Sequence, residues 1–260
     1  MPIKLPVRYL AMQSTGPDDN VESNITTVET VFDLEPKETA LVMVDTWSKH
    51  HVKSHMERTG QIMREKVASV IKAAREAGLT IVHGPSPRIA KEYPQWVRYA
   101  GDSEFFDRPS VPAPDWPPAE FRRKEGEYAK YKRLPGETPP GYDGPYPDWW
   151  RYDAIASVVE PEPEDFVVAT GDQLHRLLKD RKILHLIYTG FATNICVTYR
   201  DYGVRAMGDR GYTIILLRDC TTGIETRESI ADFSTTRWAI QEIERRYFSA
   251  TSEDFIGACK

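Results

Sequence analysis

Residues 183–196 read Ile183-Leu184-His185-Leu186-Ile187-Tyr188-Thr189-Gly190-Phe191-Ala192-Thr193-Asn194-Ile195-Cys196. The first six form an apolar run broken by a single His, as in a strand covered on both faces, and Thr189-Gly190 is a turn signal. The positions beyond it open a helix predicted over 194–210. The same handover from strand to helix recurs along the chain. Residues 40–44 are a continuous apolar run ending at Asp45. A helix is predicted over 55–77, where Ile62, Val67, Val70, Ile71 and Ala74 recur at helical spacing and Gly78 supplies the stop. Strands follow at 79–83 and 165–169, a short helix at 173–182, a strand at 212–217, a long helix at 228–246 and a short strand at 248–250. Strands alternating with helices predict an α/β chain, a parallel sheet of about six strands with helices on both faces. Ligands in such sheets bind beyond the carboxyl ends of the strands. That directs attention to Asp45, His83, Ala169-Thr170, the residues after Gly190, and Arg218-Asp219.

The chain has 260 residues, and residues 1–260 are read as a single domain preceded by an arm or edge strand over 1–38. A net charge of −5 argues against a general nucleic-acid binder, which shows a basic face. Charged residues at 28% and aromatics at 11% exclude a disordered chain. No window approaches 18 apolar residues, so no membrane partner is expected. The start, Met1-Pro2-Ile3-Lys4-Leu5-Pro6, lacks the apolar core of a signal peptide. Three cysteines, Cys196, Cys220 and Cys259, do not make a disulfide scaffold, and a cytoplasmic setting is expected. Residues 85–164 are rich in Pro, Trp and Tyr and too long for an ordinary loop. They are read as an ordered, aromatic-rich insertion that covers the site or a subunit interface.

Cys196 is the residue best placed for chemistry. It falls in the first turn of the helix after the fourth predicted strand, where backbone N–H groups lack internal partners. The partial positive charge there is expected to lower the thiol from about 8.5, making a nucleophile with neighbouring N–H groups as an oxyanion hole. Cys220 and Cys259 have no such setting. Asp45, closing the first predicted strand at the same edge, is the candidate to exchange a proton with Cys196; an aspartate there also commonly caps a helix.

Three stretches, ALVMVD at 40–45, YTGFATNICVTYR at 188–200 and GYTIILLRD at 211–219, resemble the isochorismatase-like cysteine hydrolase superfamily. That superfamily includes nicotinamidases, N-carbamoylsarcosine amidase, ureidoacrylate and biuret hydrolases, and isochorismatase. The resemblance covers roughly residues 40–250, weakly over 85–160. It implies a three-layer α/β/α sandwich and hydrolysis of an amide, ureide or hydrazide through a thioester on Cys196, with Asp45 as proton shuttle. It also implies a non-proline cis peptide at Phe191–Ala192, which aims the Ala192 N–H, with that of Cys196, at the oxyanion. A homo-oligomer acting on a small molecule, without a cofactor, completes the expectation.

The sequence departs from the family at one point. Most members supply a Lys at the end of the third strand, and here that slot holds Thr170. Candidate substitutes are His83, which ends the second predicted strand at the correct edge, and Lys49, Lys130 and Lys132. Trp47, Thr170, Phe191, Trp149 and Trp150 are candidate pocket residues, and Tyr93 a further aromatic wall. His50, His51 and His55 could ligate zinc, but the Asp-x-His pair of nicotinamidases is absent and they are read as a solvated helix start, so no metal is assigned. Two other readings compete with the enzyme: a non-catalytic ligand-binding or assembling relative that has lost the Lys, and an isochorismatase-type vinyl-ether hydrolase. The second needs an acid rather than a thiol, so Cys196 counts against it.

Overall fold

The computed structural model describes residues 2–100, 102, 115–134 and 154–260. The chain divides into two compact units, Met1–Arg98 with Trp149–Lys260, and Tyr99–Asp148. The insertion predicted over 85–164 is therefore not one body: its flanks belong to the first unit. In the second unit, Ala119–Arg123 forms a short helix and Gly126–Tyr131 a 3-10 turn, with Phe121 packed edge-on against Tyr128.

The first unit is built on one sheet of eight strands rather than six. They are β1 (Ile3–Met12), β2 (Ile25–Leu34), β3 (Thr39–Val44), β4 (Thr80–Gly84), β5 (Phe166–Val167), β6 (His185–Phe191), β7 (Thr213–Thr222) and β8 (Phe248–Ala250). Their order is β2-β1-β8-β7-β6-β3-β4-β5. The six strands from β8 to β5 are mutually parallel and correspond to the six apolar runs read from the sequence. The two extra strands come from the N-terminal arm, which folds into an antiparallel hairpin and pairs with β8 through Arg8 and Ser249.

Alternation along the strands divides the core into two layers. Leu41, Met43, Ile81, Ile187, Ile215 and Leu217 face one way, onto Met63, Val67, Val70, Ile71 and Ala74. These last residues belong to a π turn (Met63–Val67) and α2 (Ala68–Glu76), which continue α1 (Lys53–Ile62). Ala40, Val42, Val44, Val82, Leu186 and Leu216 face the other way. They pack on α5 (Gly171–Asp180), α6 (Val204–Asp209) and α7 (Ser234–Glu244); α3 is Pro87–Ala90, α4 is the Ala119–Arg123 helix, and α8 is Ser252–Ala258. This is the three-layer sandwich expected.

The helix predicted over 194–210 is broken. A π turn, Thr193–Val197, stays helical only to Tyr199; a loop follows, and α6 begins only at Val204. Gly203 explains the break: a Cβ there would meet the Val197 carbonyl oxygen at 2.7 Å. Gly190, just before the turn, holds φ at +120°, and a Cβ there would lie 1.9 Å from the Val44 oxygen. Only glycine lets β6 press this closely on β3, which brings the residues after the two strands side by side.

Candidate active site

Asp45 follows β3, is 2% exposed, and anchors its N–H on the Gly84 carbonyl at 3.0 Å. Its φ of +47° lies in the left-handed region, which Asp tolerates better than most residues. The Cys196 thiol, from the π turn after β6, lies near enough to the Asp45 carboxylate for each group to shift the titration of the other. The Ala192 N–H also points at the sulphur, and the Phe191–Ala192 peptide is cis, as the resemblance implies. Thus Asp45, Cys196 and Ala192 meet at the carboxyl edge of the sheet.

A fourth group joins them that the sequence reading missed. Arg200 places Nε 3.0 Å and Nη2 2.8 Å from Asp45 Oδ2. Its Nη2 also donates to Ser86 Oγ at 3.0 Å, and that hydroxyl donates to Asp45 Oδ1 at 3.3 Å. The signal was present in the spacing: Arg200 is four residues past Cys196, and its N–H donates to the Cys196 carbonyl at 3.0 Å. Residues at i and i+4 share one face of a helical turn.

The electrostatics correct one expectation. Burial, and then the facing Asp45 carboxylate, push the Cys196 thiol up to about 12 instead of lowering it. A single five-residue π turn supplies too little field to outweigh a carboxylate in direct contact. Burial also lifts Asp45 above the ordinary carboxylate range, against the pull of Arg200, the thiol and Ser86. Burial works against the charge on Arg200, but Asp45 more than offsets it and holds the guanidinium charged. At rest the sulphur is therefore a thiol and the guanidinium is charged.

The other predicted residues are placed as follows. His83 is fully buried on β4, and its Nε2 lies 3.2 Å from Asp165 Oδ2, which Arg75 of α2 also binds. The structure thus pairs His83 with Asp165 and not with the Asp45 group. The Thr170 hydroxyl accepts from the Gln173 N–H at 3.1 Å and caps α5. Trp47 and Phe191 are buried, with ring centroids 6.4 Å apart, and form wall rather than open surface. Tyr93 accepts the Ile155 N–H at 2.8 Å. Lys49 is exposed, as are Lys130 and Lys132 of the second unit. Trp149 and Trp150 lie outside the described residues.

His50 and His55 are not a solvated helix start. Both are buried; His50 stacks on Trp47 and His55 stands edge-on to Phe191. Burial lowers them to about 4 and about 3, which keeps both neutral. Among the described residues no group of three or more His, Cys, Asp or Glu is arranged to hold a metal ion. Among the same residues no helix is long and apolar enough to cross a membrane.

Comparison with known proteins agrees with this architecture. The isochorismatase domain model matches residues 151–244. Ureidoacrylate amidohydrolase RutB of Cronobacter turicensis is 25% identical over 187 residues, 64% of this chain and 68% of that protein. The protein of the same name from Methylorubrum extorquens is 24% identical over 201 residues, 70% and 69% of the two chains. Among solved structures, a cysteine hydrolase from Pseudomonas syringae superposes with a TM-score of 0.54 at 13% identity, over 88% of this chain and 95% of that one. An isochorismatase family protein from Burkholderia thailandensis gives 0.50 at 18%, over 86% and 97%. The chain is thus similar to an isochorismatase domain over residues 151–244, and its fold is that of the cysteine hydrolase and isochorismatase family structures.

Proposed function

We propose that the protein is a cysteine-dependent hydrolase of a small-molecule C–N bond in an amide, ureide or hydrazide. The observation that carries this reading is the Cys196 thiol beside the buried Asp45 carboxylate, itself held by Arg200, at the carboxyl edge of the sheet. The amidohydrolase names of the relatives support the bond class.

A thiol near 12 is a poor nucleophile by itself, so the proton must leave as the sulphur attacks. Asp45 takes it while sulphur bonds to the carbonyl carbon. The N–H groups of Ala192 and Cys196 hold the oxygen as it gains charge. The C–N bond then breaks, and the leaving nitrogen takes the proton from Asp45. Water attacks the thioester and gives Asp45 a proton; the C–S bond breaks and the sulphur regains that proton, leaving acid and free amine. No cofactor enters this sequence. The reading includes a homo-oligomer in the cytoplasm, in keeping with the family resemblance.

The raised thiol is also the observation that favours a non-catalytic ligand-binding relative. Release of ammonia or amine from a panel of amides, ureides and hydrazides separates the two. Turnover of at least one compound is expected, lost on the order of 10³-fold or more in Cys196→Ala. Turnover that survives this substitution, or none across the panel, would favour the binding relative.

A further inference from the structure

We infer that Arg200 is the positioning cation of this site, standing in for the lysine that the sequence lacks; the inference rests on the cysteine-hydrolase reading. The place where a lysine would arise is filled by the loop that carries Arg200. Thr170 spends its hydroxyl capping α5. Next to it, the Gly171 N–H donates to Asp201 Oδ2 at 2.7 Å, and a Cβ on Gly171 would lie 2.0 Å from the Asp201 carbonyl oxygen. The start of α5 is thus pressed against the residue that follows Arg200. From that loop the guanidinium reaches Asp45 with two N–H groups and ties in Ser86 with one of them.

The exchange of cation changes the chemistry. A lysine near a carboxylate and a thiol can itself release a proton. A guanidinium does not, and its planar fork fixes the carboxylate in orientation as well as charge. One proton then moves, between Cys196 Sγ and Asp45, while the positive charge stays in place and the net charge of the three groups is unchanged. Arg200 keeps Asp45 ionised and ready to accept the proton. Without it, Asp45 would hold a proton of its own to higher pH and lose its function as base. The groups facing Asp45 are Arg200, Cys196 and Ser86, with Tyr202 nearby from the same loop.

The test needs no substrate. Alkylation of Cys196 by iodoacetamide, followed by mass spectrometry on the folded protein, gives an acid midpoint below which labelling stops because Asp45 and Cys196 are both protonated. Wild type, Arg200→Lys and Arg200→Met are compared, with thermal unfolding to confirm that each is folded. In Arg200→Met the acid midpoint is expected to rise by about 1–3 pH units, the usual effect of an arginine beside an aspartate. Arg200→Lys should bring it back to within about one unit of wild type, a rescue that follows charge and not shape. An unchanged midpoint in folded Arg200→Met would overturn the inference and leave the hydrolase reading standing. A wild-type thiol that labels only on unfolding would overturn both. Should Arg200→Met not fold, the lysine variant decides: a midpoint raised as far as 3 units there, despite the retained charge, counts against a role through charge.

Discussion

Among the described residues, two buried aspartates each sit between an arginine and a third titratable group, and they behave in opposite ways. Asp165 receives Arg75, His83 Nε2 at 3.2 Å and the Glu162 N–H at 2.9 Å. Burial pushes its carboxyl up, but these bonds outweigh burial and bring it down to about 2. Asp45 receives Arg200, Ser86 and the Cys196 thiol, and there burial wins. Burial weighs more heavily on Asp45 than on Asp165, while the third partner decides what each carboxylate can do. His83 is held neutral by burial and donates to Asp165 without a route to transfer its proton usefully. The thiol on Asp45 can hand over its proton as it becomes a nucleophile. A carboxylate–arginine pair is therefore no mark of chemistry until one asks what else the carboxylate touches.

The sharpest way to break this comparison is to neutralise each aspartate in turn. Asp45→Asn removes the base and should cut hydrolysis by about 10²–10⁴-fold while the protein stays folded. Asp165→Asn should do the reverse. It removes the negative charge that Arg75 and His83 share and puts an amide NH2 in place of one acceptor oxygen, at a cost of about 3 kcal/mol in urea unfolding. Cys196 labelling should then change less than about twofold. Equal losses of activity in the two variants would erase the distinction.

A smaller effect separates the histidines from the aspartates by pH. His50, His55 and His83 are all lowered by burial from a free value of about 6.5. A group whose folded value is depressed stabilises the fold above its unfolded value, and that contribution is lost as pH falls toward the folded one. Melting temperature should therefore begin to fall below about pH 6.5 and continue through about 4 and about 3, the folded values of His50 and His55. Asp165 adds its own loss between about 4 and about 2. His55→Gln should flatten the upper part of this decline, and a melting curve unchanged between pH 6.5 and 4 would show that the buried histidines are not neutral. Smallest of all, Thr170→Ala should cost about 1 kcal/mol, as loss of an N-cap does, and leave the acid midpoint of Cys196 labelling in place. A shift in that midpoint would make Thr170 part of the site rather than of the helix.

The parallel half of the sheet was legible because each of its strands is a short apolar run closed by a polar or glycine residue. The N-terminal hairpin was not, because its partner is remote in sequence. Ile3, Leu5 and Val7 alternate inward as a strand should, but they join residues such as Ala250 and Phe255 in one core, and β1 pairs at Ser249. Of the site, Asp45 and Cys196 could be read from their places at strand ends, and Ala192 only through the family resemblance. Arg200 could not be read that way, because the periodicity predicts one unbroken helix over 194–210 and the candidate substitutes for the lysine, His83, Lys49, Lys130 and Lys132, lie elsewhere in the sequence. His55 was misplaced because a run of His and Lys looks solvated until Trp47 and Phe191 fold over it.

The pairing of β1 with β8 also sets a schedule for making the protein. The hairpin ends at Leu34, while its partner strand begins at Phe248. At the usual pace of about 5–20 residues per second, the ribosome needs roughly 10–40 s to cover that distance. Through that interval the inward row of Ile3, Leu5 and Val7 has no sheet to join and offers a strand edge to any neighbouring chain. The nascent chain is thus most vulnerable in the time before its own last strand emerges.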